Sequence, residues 1–353
     1  MGKMNAALFY GPLDVRFEQI EIPKPGPGEL LVKVGAALTC GTDIKTYERG
    51  HPTIIKTTPS TFGHEFSGEV VEVGEGVKDF KVGSRVATCN AVPCMECFYC
   101  RRGMFNLCED LLILNGAYAE YIVIPARMVK YNVYELPAGM TYEEAAVSEP
   151  LGTALHSIRS INIIPGDTVV VLGSGPLGLM LSRLAVLQGG RVILSGEITG
   201  ERKKVAEAYG VVDFIDIREL KVEDRIQYVK EITDGKRGAD VAIEAVGFPQ
   251  AWEEAMQLVR KHGTVLFHGG CKSGSTVTLD TTTMHYAELT LYGRYHQTPD
   301  DYRRAFNLLK YRLVDGRKLV TETLPLNQLL EAFGKVRKFE GIKFAIDPSQ
   351  MVE

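Results

Sequence analysis

Residues 168–187 constrain the fold more than any other stretch of the chain. Residues 168–172 (TVVVL) form a short, almost wholly apolar run. Such a run suits a strand buried on both faces, as in a parallel sheet covered by helices. It leads straight into Gly173-Ser174-Gly175-Pro176-Leu177-Gly178, and a helical pattern follows over residues 177–187. A G-x-G-x-x-G turn between strand and helix opens a βαβ unit. Gly173 permits the tight turn, Gly175 lets a pyrophosphate approach the backbone, and Gly178 lets helix and strand pack closely. The phosphates would sit at the positive end of the helix, beside Pro176 and Leu177. Taken alone, the motif is equally a plain glycine-rich turn.

Its context decides the matter. Further strand patterns lie at residues 192–195, 214–216, 241–245, 264–268 and 289–292, alternating with helical stretches such as 201–209. Strands alternating with helices predict a parallel sheet. Glu197 lies 19 residues after Gly178, at the end of the second strand. A carboxylate there accepts hydrogen bonds from ribose hydroxyls and repels a 2′-phosphate, which favours NAD over NADP. Gly196 leaves the register open by one residue, and a solvated loop carboxylate is the plain alternative. Arg202 weighs the other way, because an arginine near the ribose accommodates a phosphate.

The first third has a different texture. Valine-rich runs at residues 30–34, 67–73 and 119–124 are separated by turn signals at 23–28, 74–76 and Gly83. That pattern predicts a partly closed, antiparallel β domain. After residue 295 come a helical stretch (301–310) and a last strand (343–346). The expected organisation is therefore an α/β domain over 153–295, inserted between 1–152 and a return segment 296–353. A chain of 353 residues suffices for two domains, and 45% hydrophobic residues can fill both cores. A net charge of −4 argues against a nucleic-acid partner. No apolar run reaches the length of a membrane span, and the first residues carry no signal-peptide pattern, so a cytoplasmic location is expected.

Four of the seven cysteines form Cys94-x2-Cys97-x2-Cys100-x7-Cys108. In a reducing compartment such a cluster is a metal site sooner than a disulfide framework. Four thiolates close a tetrahedral zinc shell, so this site is structural and staples a lobe at about 89–110. A zinc-ribbon nucleic-acid module is the usual rival, and the missing basic stripe weighs against it. Cys40, Cys89 and Cys271 stand apart. Cys40 lies in Thr39-Cys40-Gly41-Thr42-Asp43, His64 in Gly63-His64-Glu65, and Glu149 in Ser148-Glu149-Pro150. One cysteine, one histidine and one carboxylate leave a fourth zinc position open, as catalysis requires. Individually each has a bland reading, a core thiol or a solvated carboxylate. Their joint occurrence with the other two motifs carries the case.

Together these residues resemble the zinc-containing medium-chain alcohol and polyol dehydrogenases. The run Gly63-His64-Glu65-x2-Gly68-x5-Gly74-x2-Val77 is specific to that family, and the likeness spans nearly the whole chain. The Glu149-Pro150 pair looks like the sorbitol and threonine dehydrogenase branches, since the familiar alcohol dehydrogenases carry a second cysteine there. The resemblance implies a Rossmann, doubly wound parallel sheet domain inserted in a GroES-like, mainly antiparallel β domain. It also implies two zincs per chain and a homodimer or homotetramer. Cys40 and His64 would bind the catalytic zinc, with Glu149 as third ligand. Glu65 would be an outer group or a ligand that exchanges with water. Asp43 would fix the His64 tautomer. Thr42 would relay the substrate proton, Thr153 would touch the nicotinamide, and Ala245 and Val246 would border the cofactor. Zinc would polarise the substrate oxygen while hydride passes to the cofactor; another divalent metal could take its place.

Two departures stand out. Lys45 occupies the place where many relatives have a histidine that passes the proton to solvent. It either does that work with a lowered pKa, or is an exposed lysine while the proton leaves elsewhere. The stretch from Cys108 to Gly116 is shorter than in many relatives. The substrate expected is a polyol or secondary alcohol, with Arg294, Tyr295 and His296 as polar candidates; L-threonine is the alternative. A non-catalytic nucleotide-binding protein is the remote third reading, disfavoured because it would have no use for Cys40, Thr42, His64 and Glu149 together.

Overall fold

The computed structural model describes residues 2–51 and 54–352. The chain divides into two compact units: Met1–Gly152 with Gln297–Glu353, and Thr153–His296. The division falls inside the helix Ser148–Ile158.

The first unit is built on β-sheet. A long hairpin, Lys3–Gly11 with Asp14–Glu21, is joined at its edge by Ser60–Thr61. The main sheet runs in the order Val133–Glu135, Arg85–Thr88, Phe66–Val73, Leu30–Leu38, Lys343–Asp347, Val320–Pro325, and Tyr121–Ile124 pairs with Leu30–Leu38 off that path. The pairs are antiparallel except the last two strands, which run parallel with the helix Leu329–Arg337 between them in sequence. Leu30, Val32, Ala36, Ala37 and Leu38 have essentially no exposure, so this strand is core except at Lys33 and Gly35. An aromatic cluster of Phe62, Tyr118 and Phe333 packs edge to face beneath it, with Phe62 and Tyr118 centroids 5.1 Å apart.

Glycines set two close approaches here. A Cβ on Gly68 would meet the Lys33 carbonyl oxygen at 2.1 Å. Gly63 has φ +93°, and a Cβ there would strike the Tyr118 ring. Both glycines of the His64 segment are thus required by backbone geometry. The short pair Ala91–Val92 with Leu112–Ile113 forms the base of the cysteine-rich lobe.

The second unit is a six-stranded parallel sheet. Counting its strands from Thr168–Leu172 as the first, their order across the sheet is third, second, first, fourth, fifth, sixth. That is the doubly wound order in which dinucleotides bind where the strand sequence reverses. Val169, Val170 and Val171 are wholly buried, each contributing about 1.5–3 kcal/mol of transfer free energy. Helix Pro176–Leu187 follows the glycine turn, with Gly175 as N-cap and Pro176 in the first turn, where a missing N–H costs nothing. Among the described residues no helix is long and apolar enough to cross a membrane.

Candidate functional site

Three strands converge on one pocket of the first unit. Leu30–Leu38 delivers Thr39 and Cys40. The last strand lies beside it, with Thr39 N donating to Phe344 O at 2.9 Å. On its other flank Leu38 N donates to Glu65 O at 2.8 Å, which fixes the His64-Glu65 segment. Cys40 is the N-cap of helix Gly41–Arg49, and Thr42 N points to its sulfur at 3.4 Å.

The sulfur of Cys40, a ring nitrogen of His64 and a carboxylate oxygen of Glu65 lie within 4.8 Å of one another. His64 Nδ1 is held by Asp43 Oδ1 at 2.9 Å, so Nε2 is the nitrogen left for a ligand. Asp43 is fixed in turn by the Tyr118 hydroxyl, which donates to Oδ2 at 2.7 Å. Carboxylate, imidazole and open nitrogen in line are the usual support of a metal-binding histidine. Burial alone would push the His64 pKa down, but Asp43 and Cys40 overcome it and hold the pKa well above the ordinary value. Lys343 Nζ lies 2.6 Å from Glu65 Oε2 and donates to Thr39 O at 2.8 Å. The two groups form a buried ion pair. A thiolate, an imidazole and a carboxylate are a donor set that fits zinc.

Glu149, expected as the third ligand, is buried within electrostatic reach of His64 and Glu65. It is not among the clustered donors. Its Oε1 accepts from Gln297 Nε2 at 2.8 Å. Burial pushes the Glu149 carboxyl up to about 7, with His64 pulling it back down. Glu65, expected as an outer group or as a ligand that exchanges with water, stands among the clustered donors. Lys45 is exposed on helix Gly41–Arg49. Lys343, Tyr118 and Gln297 were not singled out from sequence. Only Lys343 left a signal, a lysine inside the apolar run Ile342-Lys343-Phe344-Ala345-Ile346.

The four-cysteine cluster is also assembled. Cys94 and Cys100 sulfurs are 3.9 Å apart, as are those of Cys97 and Cys108. A zinc–sulfur distance of about 2.3 Å in a tetrahedron sets sulfurs about 3.8 Å apart, whereas a disulfide needs about 2.05 Å. Backbone N–H groups of Glu109 and Cys100 pull Cys97 down to about 6, while burial pushes Cys100 up to about 12. A cation is what lets all four ionise together.

In the second unit, Gly173 has φ +113° and Gly178 is so close to it that a Cβ would lie 1.7 Å from the Gly173 oxygen. A Cβ on Gly175 would meet nothing within 4 Å, which leaves its backbone open to a ligand. Ala245 and Val246 lie against Gly173. The second strand ends at Gly196, whose missing side chain gives room to Ser174, and Ser174 Oγ donates to Glu197 O at 2.7 Å. Glu197 therefore directly follows the strand end. Arg202 is buried, and Arg218, which sequence reading missed, is engaged by both carboxylate oxygens of Asp216. Thr153 opens this unit on helix Ser148–Ile158.

Residues 26–137 match the family model described as the alcohol dehydrogenase GroES-like domain, and residues 176–311 match the one described as zinc-binding dehydrogenase. The chain is 35% identical over 336 residues to a sorbitol dehydrogenase of Halalkalibacterium halodurans, covering 93% of this chain and 94% of that one. It is 36% identical over 281 residues to an L-threonine 3-dehydrogenase of Pyrococcus horikoshii, covering 78% of each. Among solved structures, a zinc-binding dehydrogenase from Sinorhizobium meliloti bound to NADP superposes with a TM-score of 0.87 at 28% identity, over 99% of this chain and all of that one.

Proposed function

This chain belongs to the zinc-dependent medium-chain alcohol and polyol dehydrogenases and is an oxidoreductase, and from that premise we propose that it oxidises a polyol or secondary alcohol with NAD. The observation that carries the reading is the clustering of Cys40, His64 and Glu65 with His64 pinned by Asp43. We assign Cys40, His64 and Glu65 as ligands of a catalytic zinc, and Cys94, Cys97, Cys100 and Cys108 as ligands of a structural one.

When bound, the catalytic zinc supplies Lewis-acid polarisation of the substrate oxygen. The protein does the rest. Cys40, His64 and Glu65 hold three positions and leave a fourth for substrate. Asp43 binds His64 through Nδ1, so that Nε2 is the nitrogen turned to the metal. Lys343 balances the charge of Glu65. The Thr42 hydroxyl takes the substrate proton onward. Gly173, Gly175 and Gly178 seat the pyrophosphate, with Thr153, Ala245 and Val246 beside the cofactor. The preference for NAD is supported by Glu197 at the strand end. It is supported too by the two nearby arginines, one buried and one bound to Asp216. The NADP in the Sinorhizobium structure makes this the cofactor question to measure.

L-threonine is the second reading, favoured by the Pyrococcus relative. A cytoplasmic location is supported by the reading of the four-cysteine cluster as a metal site, which a reducing compartment suits. Homo-oligomerisation is supported by the open edge of Thr290–Gly293, which pairs only with Val259–Phe267.

The deciding experiment measures zinc content together with NAD and NADP reduction over a panel of polyols, secondary alcohols and L-threonine. About two zincs per chain and NAD-linked turnover of a polyol are expected. Turnover of L-threonine alone would move the substrate to the second reading. No turnover with a fully zinc-loaded protein would sink the enzyme reading for these substrates.

A further inference from the structure

Gln297 is 4% exposed and opens the second segment of the first unit. Its Nε2 donates twice to the same residue, to Glu149 Oε1 at 2.8 Å and to the Glu149 carbonyl at 3.1 Å. Its own Oε1 is buried without a partner. That oxygen fills the space a side chain at Gly152 would need, since a Cβ there would lie 1.7 Å away. An unpartnered buried amide oxygen is a standing cost. What offsets it is one hydrogen bond to a buried carboxyl group and a second to the same residue's main-chain carbonyl.

The consequence follows from counting donors. Besides Asp43, which is bound to His64, the site has two buried carboxylates, Glu65 and Glu149, and needs only one of them if a position is to stay open for substrate. Glu65 stands with Cys40 and His64; Glu149 does not. We propose that Gln297, seated by the absence of a side chain at Gly152, is the positioning residue that keeps the Glu149 carboxylate out of the metal shell and so preserves the open position. Gln297 touches neither metal nor substrate in this scheme. It acts through Glu149. Glycine at 152 belongs to the same device, because any side chain there would evict the amide.

This inference rests on the reading of Cys40, His64 and Glu65 as a metal centre, and the test separates the two. Zinc is kept at the four-cysteine site and cobalt is exchanged into the other. The visible bands of cobalt then report its coordination, and dipicolinate competition reports its release. The parent should show a cobalt spectrum with an open position that responds to added alcohol. In Gln297→Leu the freed Glu149 should join the shell. The bands then change, the response to alcohol is lost, and cobalt release slows, about tenfold or more, while kcat falls about 10- to 100-fold. Gln297→Glu sets a like charge against Glu149 and should act in the same direction. Gly152→Ala displaces the amide without altering it, and should give the same spectral change even if Gln297→Leu fails to fold. Loss of activity with tighter metal retention is a combination that mere structural damage does not give. Parent-like spectra and release in the folded variants, or faster release in them, overturns the role of Gln297. No cobalt uptake at the Cys40 site of the parent overturns the metal-centre reading itself.

Discussion

Asp43 touches neither a metal donor atom other than through His64 nor any solvent, yet the site depends on it. Its two oxygens are divided between His64 Nδ1 and the Tyr118 hydroxyl. Asp43→Asn keeps the shape but offers the imidazole a weaker, neutral partner, and the amide can present a donor where an acceptor is needed. Zinc affinity at this site should fall about 10- to 100-fold, with zinc at the four-cysteine cluster unchanged. Competition with a chromophoric chelator reads both sites, and equal loss from both would remove Asp43 from its assigned place. At this scale the sequence was legible where chemistry and spacing coincide. Cys40, His64 and Asp43 lie in two short glycine-marked segments. Gln297 and Tyr118 were illegible, because glutamine and tyrosine carry no metal signature and lie 148 and 75 residues from the groups they bind. In sequence the Glu149-Pro150 pair favoured Glu149 over Glu65 as the third ligand. The proposed choice between them rests on Lys343 and Gln297, both brought in from late in the chain.

Single elements raise different questions. The parallel strands were legible because an apolar run such as 168–172 admits only a doubly covered position. The antiparallel hairpin Lys3–Gly11 and Asp14–Glu21 was not read, since the second strand is mostly half-exposed and its apolar positions are sparse. The cysteine-rich lobe has little regular structure beyond two short 3-10 turns, and Phe98, Met104 and Leu107 in it are exposed. Metal coordination must then supply its order. Cys97→Ser should lower zinc from about two per chain to about one and lower the melting temperature. Cys40→Ser should also lose one zinc, abolish turnover, and leave melting and NAD binding nearly unchanged. Metal analysis, calorimetry and cofactor titration on the pair decide it: matching melting curves would show that the two sites do not differ in kind. The glycine turn offers a third test. Gly178→Ala puts a Cβ against a backbone oxygen that no rotamer can move. Strain of about 1–3 kcal/mol is expected, with NAD affinity falling while zinc content stays at its parent value. An alanine variant that binds NAD like the parent would show that helix and strand can part without disturbing the phosphate seat.

At the scale of the whole molecule, the alternation of strand and helix made the fold class legible, and the late β segment with Lys343 announced that the chain returns to its first unit. Stability is also a property of this scale, and His268 gives it a pH dependence with a definite sign. His268 sits at the end of strand Val259–Phe267 and shares a short hydrogen bond with Ser157. Burial, helped by His156, lowers its pKa from 6.5 to about 4. The unfolded chain therefore takes up a proton below pH 6.5 that the folded chain refuses until about pH 4. Where the unfolded state binds more protons, stability rises with pH. The contribution of His268 is thus fully present above the unfolded value and is lost as pH falls through this window, by up to ~3 kcal/mol. Replacing it with glutamine, which keeps a hydrogen-bonding side chain but cannot titrate, should flatten the stability profile over that interval relative to the parent. Denaturant melts at half-unit steps from pH 4.5 to 7.5 (all within about three units) measure the difference. His64, whose folded pKa is displaced the other way, is common to both proteins and cancels in it. Parallel profiles for parent and His268→Gln would mean that the histidine reaches water in the folded state and titrates there as it does in the unfolded chain.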